Sequence, residues 1–154
     1  MSKRDEKTFI MVKPDGVQRA LIGVIMCRFE HKGLNLIAAK LVSPTQEHFE
    51  NHYSEHKTKP FFKGLVHYMI SGPVFAMVWQ GLNAVKVGRA LVGETNPANS
   101  SSGTIRGDFC LETGRNLIHA SDSVENAEKE INLWFNKSEV LSYSRCDEKY
   151  VYEV

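Results

Sequence analysis

Long apolar runs are missing from this sequence. The longest, Val74-Phe-Ala-Met-Val-Trp79, is six residues, where a membrane helix needs about 18. It suits a buried strand, and no membrane span is expected. Cysteine is scarce: Cys27, Cys110 and Cys146 are far apart and form no C-x-x-C pair. That excludes a disulfide framework or a cysteine-based structural zinc site and points to a reducing, cytoplasmic compartment. An excess of one charge is also missing, because 19 Lys+Arg against 18 Asp+Glu leave a net +1. The electrostatic argument for a nucleic-acid binder therefore falls away. Met1-Ser-Lys-Arg-Asp-Glu-Lys7 is polar with no apolar core behind it, so no secretory leader is expected and the N-x-S strings at Asn99 and Asn136 read as chance matches. Repeats, linkers and low-complexity tracts are absent too. A chain of 154 residues, 42% hydrophobic and 24% charged, fits one soluble domain over residues 1–154.

What is present is an alternation of strand and helix signals. Thr8-Phe-Ile-Met-Val-Lys-Pro14 reads as a strand ended by proline, with Asp15-Gly16 as a turn. Residues 21–32 have helical spacing, and Gly33 suits the stop. Residues 35–42 form a second strand candidate; 45–55 and 61–70 read as two helices parted by Lys59-Pro60. Residues 74–79 make the third strand, and Asn83 can cap a helix to about Val92. Residues 116–120 make a fourth strand around one histidine. A last helix opens at Ser121-Asp-Ser123, with Asp122 and Glu125 spaced as a capping box and Val124, Ala127, Ile131, Trp134 and Phe135 as its buried stripe. The order predicts an α/β, ferredoxin-like β-α-β-β-α-β sandwich: a four-stranded antiparallel sheet with extra helices and a long loop before the last strand.

That loop, residues 93–115, is rich in Gly, Asn, Ser and Thr. More than about 15 structureless residues in a compact domain is uncommon and usually functional. Arg89 just before it, then Thr95, Arg106 and Arg115, can all donate to phosphate oxygens. A solvated loop in which Glu94, Asp108 and Glu112 balance the arginines is the alternative, and composition alone favours it.

Of six histidines, His48, His52 and His56 recur every four residues, but Glu47, Glu50, Asn51 and Glu55 among them make a solvated helix face the better reading. His31 ends a helix, where a cation suits the macrodipole, and His67 lies in an amphipathic stretch. His119 is different: it lies in the apolar run Leu117-Ile-His-Ala120, immediately before a helix N-terminus, which favours anionic groups. An ordinary imidazole, of pKa about 6.5, is mostly neutral at pH 7 and available as a nucleophile. Spacing alone leaves a buried structural histidine as the alternative.

Asn116-Leu-Ile-His-Ala-Ser-Asp122 resembles the active-site signature of the nucleoside diphosphate kinases. Further segments resemble the family in order, from about residue 7 to the C-terminus: Thr8-Phe-Ile-Met-Val-Lys-Pro-Asp-Gly-Val-Gln-Arg19, Pro60-Phe-Phe62, Ser71-Gly-Pro73, Gly93-Glu-Thr-Asn-Pro97, Gly103-Thr-Ile-Arg-Gly-Asp-Phe109 and Ser123-Val-Glu-Asn-Ala-Glu-Lys-Glu130. The resemblance implies that His119 takes the γ-phosphoryl of a nucleoside triphosphate and passes it to a nucleoside diphosphate in a ping-pong reaction. It implies that Glu130 holds one ring nitrogen, with the choice of nitrogen open, and that Ser121 supports Glu130. Lys13, Arg89, Thr95 and Arg106 match the phosphate contacts, Lys13 and Asn116 the ribose contacts, and Phe61 and Leu65 the base platform. Tyr53 resembles the hydroxyl near the transferred phosphate. Mg2+ is implied as the cofactor, riding mainly on the phosphates with Asp122 reaching it through water. A homohexamer is implied as well. The departures are Asn99-Ser-Ser-Ser102, Thr113 and the final Val154 after Tyr152-Glu153.

The rival readings are weaker. Arg106-Gly-Asp-Phe109 faintly resembles an RNA-recognition motif, but Asp108 occupies the aromatic position. No G-x-x-x-x-G-K-[ST], H-R-D or D-F-G string occurs, which excludes the other kinase classes. A catalytically silent or moonlighting nucleic-acid- or protein-binding module on the same scaffold is the alternative function, and intact Lys13, Arg106, His119 and Glu130 argue against it.

Overall fold

The computed structural model describes residues 3–153; Met1, Ser2 and Val154 lie outside the described residues. Strand β1, Lys7–Val12, is the centre of the molecule, with every residue from Thr8 to Val12 buried. Its apolar run is continuous rather than alternating because both of its faces are covered. Phe9 and Met11 enter one core; Ile10 and Val12 enter the other.

Strands β2, Asn35–Val42, β3, Val74–Gln80, and β4, Ile118–Ala120, complete a sheet of order β2-β3-β1-β4. All three pairings are antiparallel, with a register irregularity in β2 between Leu36 and Ala38. This is the ferredoxin-like sandwich that the element order implies. On the face of Phe9 lie helices α3, Gln46–His52, α4, Phe62–Met69, and α7, Val124–Trp134. On the face of Ile10 lie α2, Ile22–Lys32, α5, Ala84–Val92, and α6, Ile105–Phe109. A short helix, Glu148–Val151, closes the chain.

Helix ends follow local chemistry. Gly33 takes the left-handed conformation (φ 101°) that ends α2. The Thr45 hydroxyl caps α3 by accepting from the His48 N–H. Several boundaries differ from the sequence reading. Asp15-Gly16 is not a free turn but part of a short helix, α1, Pro14–Gln18, started by a proline whose missing N–H costs nothing there. The helix expected over 45–55 stops at Tyr53 and continues as a 3-10 turn, Ser54–His56. Asn83 makes no side-chain cap, because it is itself left-handed (φ 53°). Helix α7 is capped by Ser123, which is extended and accepts from the Asn126 N–H; Asp122 accepts instead from Asn126 Nδ2, so no Asp122–Glu125 capping box forms. Val124, expected in the buried stripe, is 48% exposed because it lies in the first turn, while Ala127, Ile131, Trp134 and Phe135 are buried.

The stretch 93–115 is not structureless. It carries the 3-10 turns Pro97–Asn99 and Thr113–Arg115 on either side of α6. Thr104 caps α6, accepting from Gly107 N–H, and Asp108 accepts from Arg28 and from the Gly103 N–H. A Cβ at Gly107 would lie 2.0 Å from the Ser101 carbonyl oxygen, so close packing against backbone requires glycine there. Gly107→Ala is expected to cost about 1–3 kcal/mol. Gly23→Ala, in the first turn of α2, where a Cβ meets nothing within 4 Å, is expected to gain about 0.4–1 kcal/mol, because alanine has less unfolded-chain freedom to lose. Urea denaturation of the two variants checks both signs.

Candidate active site

Strand alternation decides which way His119 points. Ile118 and Ala120 enter the Ile10 core, so His119, opposite Met11 in β1, faces the α3–α7 side. The chain enters β4 through Leu117, a fully buried non-glycine residue at φ 77°. Such a backbone costs on the order of 1–3 kcal/mol and persists only where its surroundings hold it. Here Leu117 N–H donates to Asp15 Oδ2 (3.1 Å), and its carbonyl accepts from Lys13 N–H (2.9 Å).

Helix α7 folds back over β1 and brings Glu130 to the imidazole. Glu130 Oε2 lies 2.5 Å from His119 Nε2. Its other oxygen, Oε1, accepts from the Ser121 hydroxyl at 2.6 Å. Ser121 is fully buried and its oxygen accepts from the Phe9 N–H, so the carboxylate is anchored to the central strand. A carboxylate is an acceptor, so the neutral ring carries its proton on Nε2 and leaves the Nδ1 lone pair available.

A cleft of about 1150 Å³ opens beside this ring. Its lining brings together Lys13, Tyr53, Phe61, Leu65, Arg89, Thr95, Arg106, Asn116, His119, Asp122 and Glu130; of the candidate residues, Ser121 alone lies behind the lining. Lys13 Nζ donates to Asn116 Oδ1 (2.8 Å), and Asn116 Nδ2 donates to the Thr95 carbonyl (3.0 Å), joining three distant stretches. Burial, helped by the neighbouring Arg106, lowers the Lys13 pKa from 10.5 to about 8.

Arg106 is more structural than a free phosphate donor. It is 4% exposed, and its guanidinium donates to the carbonyls of Asn116 (3.2 Å), Gly93 (3.3 Å) and Ile118 (2.6 Å). Those bonds occupy three of its five N–H groups. Burial and the nearby Arg89 lower its pKa to about 10, so it remains a cation at pH 7. Arg89 is exposed and donates to the Ala120 carbonyl (3.3 Å). Tyr53 is held protonated by burial and by the Glu130 charge, and its hydroxyl has no protein partner.

The opposite wall is Phe61, 53% exposed, with Leu65 and Tyr68. Tyr68 accepts from the Asp15 N–H, and the Arg115 guanidinium lies 4.0 Å from its ring centre, tying α4 to the Thr113–Arg115 turn. Tyr68 has no sequence signal of its own.

The helix face of His48, His52 and His56 is not solvated as the sequence reading expects. The His52 side chain is fully buried, His48 lies edge-on to Trp134 at 4.2 Å, and His56 packs beside Tyr53. The available signal was the stripe Phe49, His52, Tyr53 and His56, spaced three and four apart, which marks an inward face despite the glutamates around it.

Residues 6–140 match the sequence profile of the family described as Nucleoside diphosphate kinase. The chain belongs to the nucleoside diphosphate kinase family. It is 60% identical over 148 residues to Nucleoside diphosphate kinase B of Mus musculus, covering 96% of this chain and 97% of that one. The Homo sapiens Nucleoside diphosphate kinase B matches with the same identity and coverage. Among solved structures, the apo enzyme of Encephalitozoon cuniculi superposes with a TM-score of 0.92 at 54% identity, covering 96% of this chain and 99% of that one. A halophilic relative from Halobacterium salinarum, in complex with CDP, gives 0.94 at 48% identity, covering 97% and 99%. The chain is thus a nucleotide-binding phosphotransferase that moves the terminal phosphoryl of a nucleoside triphosphate to a nucleoside diphosphate. A silent or moonlighting scaffold is not favoured. Among the described residues no helix is long and apolar enough to cross a membrane.

The lowered Lys13 pKa has a testable sign. The unfolded chain, with an ordinary lysine at 10.5, binds more protons than the folded one between about pH 8 and 10.5, so this group makes unfolding harder as pH rises through that window. An NMR titration should find the Lys13 ammonium deprotonating near pH 8, well before exposed lysines. A midpoint above 10 would contradict the buried position.

Proposed function

We propose that His119 Nδ1 carries the phosphoryl group between two nucleotides that use the cleft in turn, the whole chain acting as one kinase domain. The observation that carries the reading is the hold of Glu130 on Nε2, 2.5 Å away and itself tied to Ser121. The Nδ1 lone pair attacks the γ-phosphorus of the donor, the bond to the β,γ-bridging oxygen breaks, and the diphosphate leaves. Positive charge developing on the ring is stabilised at Nε2–H by Glu130. In the return half, a terminal oxygen of the acceptor diphosphate attacks the same phosphorus, and the P–N bond breaks back to the neutral ring.

The chain supplies position and positive charge, which is most of what phosphoryl transfer needs. Lys13, Arg89 and Thr95 offer donors to the phosphates, with Arg106 contributing its charge and its unused N–H groups. Asn116 and Lys13 face the ribose, and Tyr53, kept protonated, offers a hydroxyl near the transferred group. The exposed ring of Phe61, with Leu65, gives the base an apolar wall and little hydrogen-bond discrimination, consistent with acceptance of several bases. The CDP held by the Halobacterium salinarum relative supports a nucleotide in this cleft.

The donor set also suits Mg2+. Asp122 is one exposed carboxylate at the cleft, already accepting from Asn126. One carboxylate is too few for an all-protein cage but suits an ion held mainly by phosphates and water. Bound there, Mg2+ would neutralise charge on the phosphates.

A homohexamer is proposed as the working assembly, supported by apolar side chains left in the open: Leu41 on the edge strand β2 is 61% exposed and Leu111 is 93% exposed. The unpaired Cys27, Cys110 and Cys146 support a cytoplasmic setting. Sedimentation should give about six times the 17.4 kDa chain mass; a stable monomer would refute the assembly. ATP alone should label the protein with an acid-labile, alkali-stable phosphate, and His119→Ala should abolish both the label and ATP-to-GDP transfer. Full transfer by His119→Ala would overturn the proposal.

A further inference from the structure

Among the described residues, His52 is the buried titratable group beside His119 for which the mechanism has no use. Its ring lies edge-on to His119 with centres 4.7 Å apart, within reach of Tyr53 (4.6 Å) and Phe9 (5.8 Å). Trp134 Nε1 donates to His52 Nδ1 at 2.9 Å. An indole N–H can only donate, so Nδ1 is the acceptor and a neutral His52 must carry its proton on Nε2. That Nε2 is buried without a hydrogen-bond partner and lies 3.6 Å from Glu130 Oε2, the oxygen that holds His119.

Burial and the neighbouring basic groups favour a neutral His52, against the opposing pull of the Glu130 carboxylate. Burial pushes the His52 pKa well below 6.5, and His119, His48 and Lys13 add to the shift in the same direction. Glu130 is the anion facing it from α7, and Tyr53 beside it is uncharged.

We propose that His52 is a positioning residue: locked by Trp134 as the Nε2–H tautomer, it supplies a second N–H to Glu130 Oε2 and keeps that carboxylate aimed at His119. The Nε2–Oε2 distance of 3.6 Å is long for a hydrogen bond. Catalytic contacts of this kind are often long in the unliganded protein and tighten when substrate binds. When the His119 ring turns positive, Glu130 Oε2 is drawn towards it, and the His52 proton gives that oxygen a second, lateral support. The inference rests on His119 as the phosphoryl carrier.

The experiment is made on the whole chain. Long-range 1H–15N NMR of the wild type should show His52 neutral with Nδ1 unprotonated at pH 6.5, where an ordinary imidazole is about half protonated. In Trp134→Phe the Nδ1 signal should move towards a tautomer mixture. His52→Phe keeps a ring but has no donor, whereas His52→Gln can offer an N–H near the Nε2 position. His52→Phe should still take label from ATP at His119, at a single-turnover rate lowered about tenfold. A carboxylate deprived of a donor takes up protons more readily, so the acid limb of the variant's pH–rate profile should move to higher pH. His52→Gln should restore most of the rate and the limb. A His52 cation or an Nδ1–H tautomer in the wild type overturns the proposal. So does a His52→Phe acid limb that stays in place while stability alone falls. Absence of label on wild-type His119 would instead sink the carrier reading and leave the His52 tautomer result standing by itself.

Discussion

A single carboxylate, Glu130, ties together the pieces on which the cleft depends. It reaches back from α7 to the last strand, binds His119 through one oxygen and Ser121 through the other, and through Ser121 is joined to the backbone of Phe9 in the central strand. The carboxylate is largely covered, with 14% of its side chain exposed. A buried carboxylate without donors is expensive, so the two bonds are a condition of its burial as much as a means of orientation. They also constrain the ring: one nitrogen is committed, and the other is left to the cleft. Packing supplies the stiffness, since the rings of Phe9 and His52 lie against His119 and Trp134 backs both of them.

A second constraint is the collection of cations on the other side of the cleft. Lys13 at the end of β1 and Arg106 on α6 lose solvation and are repelled by neighbouring arginines, Arg106 for Lys13 and Arg89 of α5 for Arg106, which is why the pKa of Lys13 falls to about 8 and that of Arg106 to about 10. Carbonyl oxygens offset part of the cost: Arg106 is held by three of them and Arg89 by one. Asn116 gives Lys13 a neutral acceptor. Among the described residues no acidic side chain forms an ion pair with any of these three cations. A polyphosphate is the kind of ligand that such an arrangement receives well, because its charge is matched without first breaking a salt bridge. The net charge of +1 does not reveal this, because it sums over the whole chain and the acidic residues elsewhere cancel the cations of the cleft.

Much of the fold was legible because its signals are local. The apolar run of β1, the proline that ends it and the left-handed Gly33 each act within a few residues. The antiparallel sheet followed from element order, and the site residues came from an ordered series of motifs resembling the nucleoside diphosphate kinases. The failures were also specific. The stretch 93–115 looked unstructured because its order comes from Thr104 and Asp108 caps and from the contact of Gly107 with the Ser101 carbonyl, none of which has a periodic pattern. His52 looked solvated because glutamates flank it in sequence, while its actual neighbours, Trp134 and Glu130, lie about 80 residues away.

The sequence by itself determined the strand and helix order, the family, and which residue types were available for phosphate chemistry. Those depend on short-range propensity and on matches read in order along the chain. The tertiary structure decided which imidazole nitrogen Glu130 takes, how much of Arg106 is already spent on carbonyls, and that His52 lies beside His119 with Nε2 3.6 Å from the same carboxylate. Each of these is a contact between parts of the chain that meet only after the sheet has formed and the helices have closed on both of its faces. Hydrogen-bond direction and burial are properties of that packed arrangement, not of any segment within it.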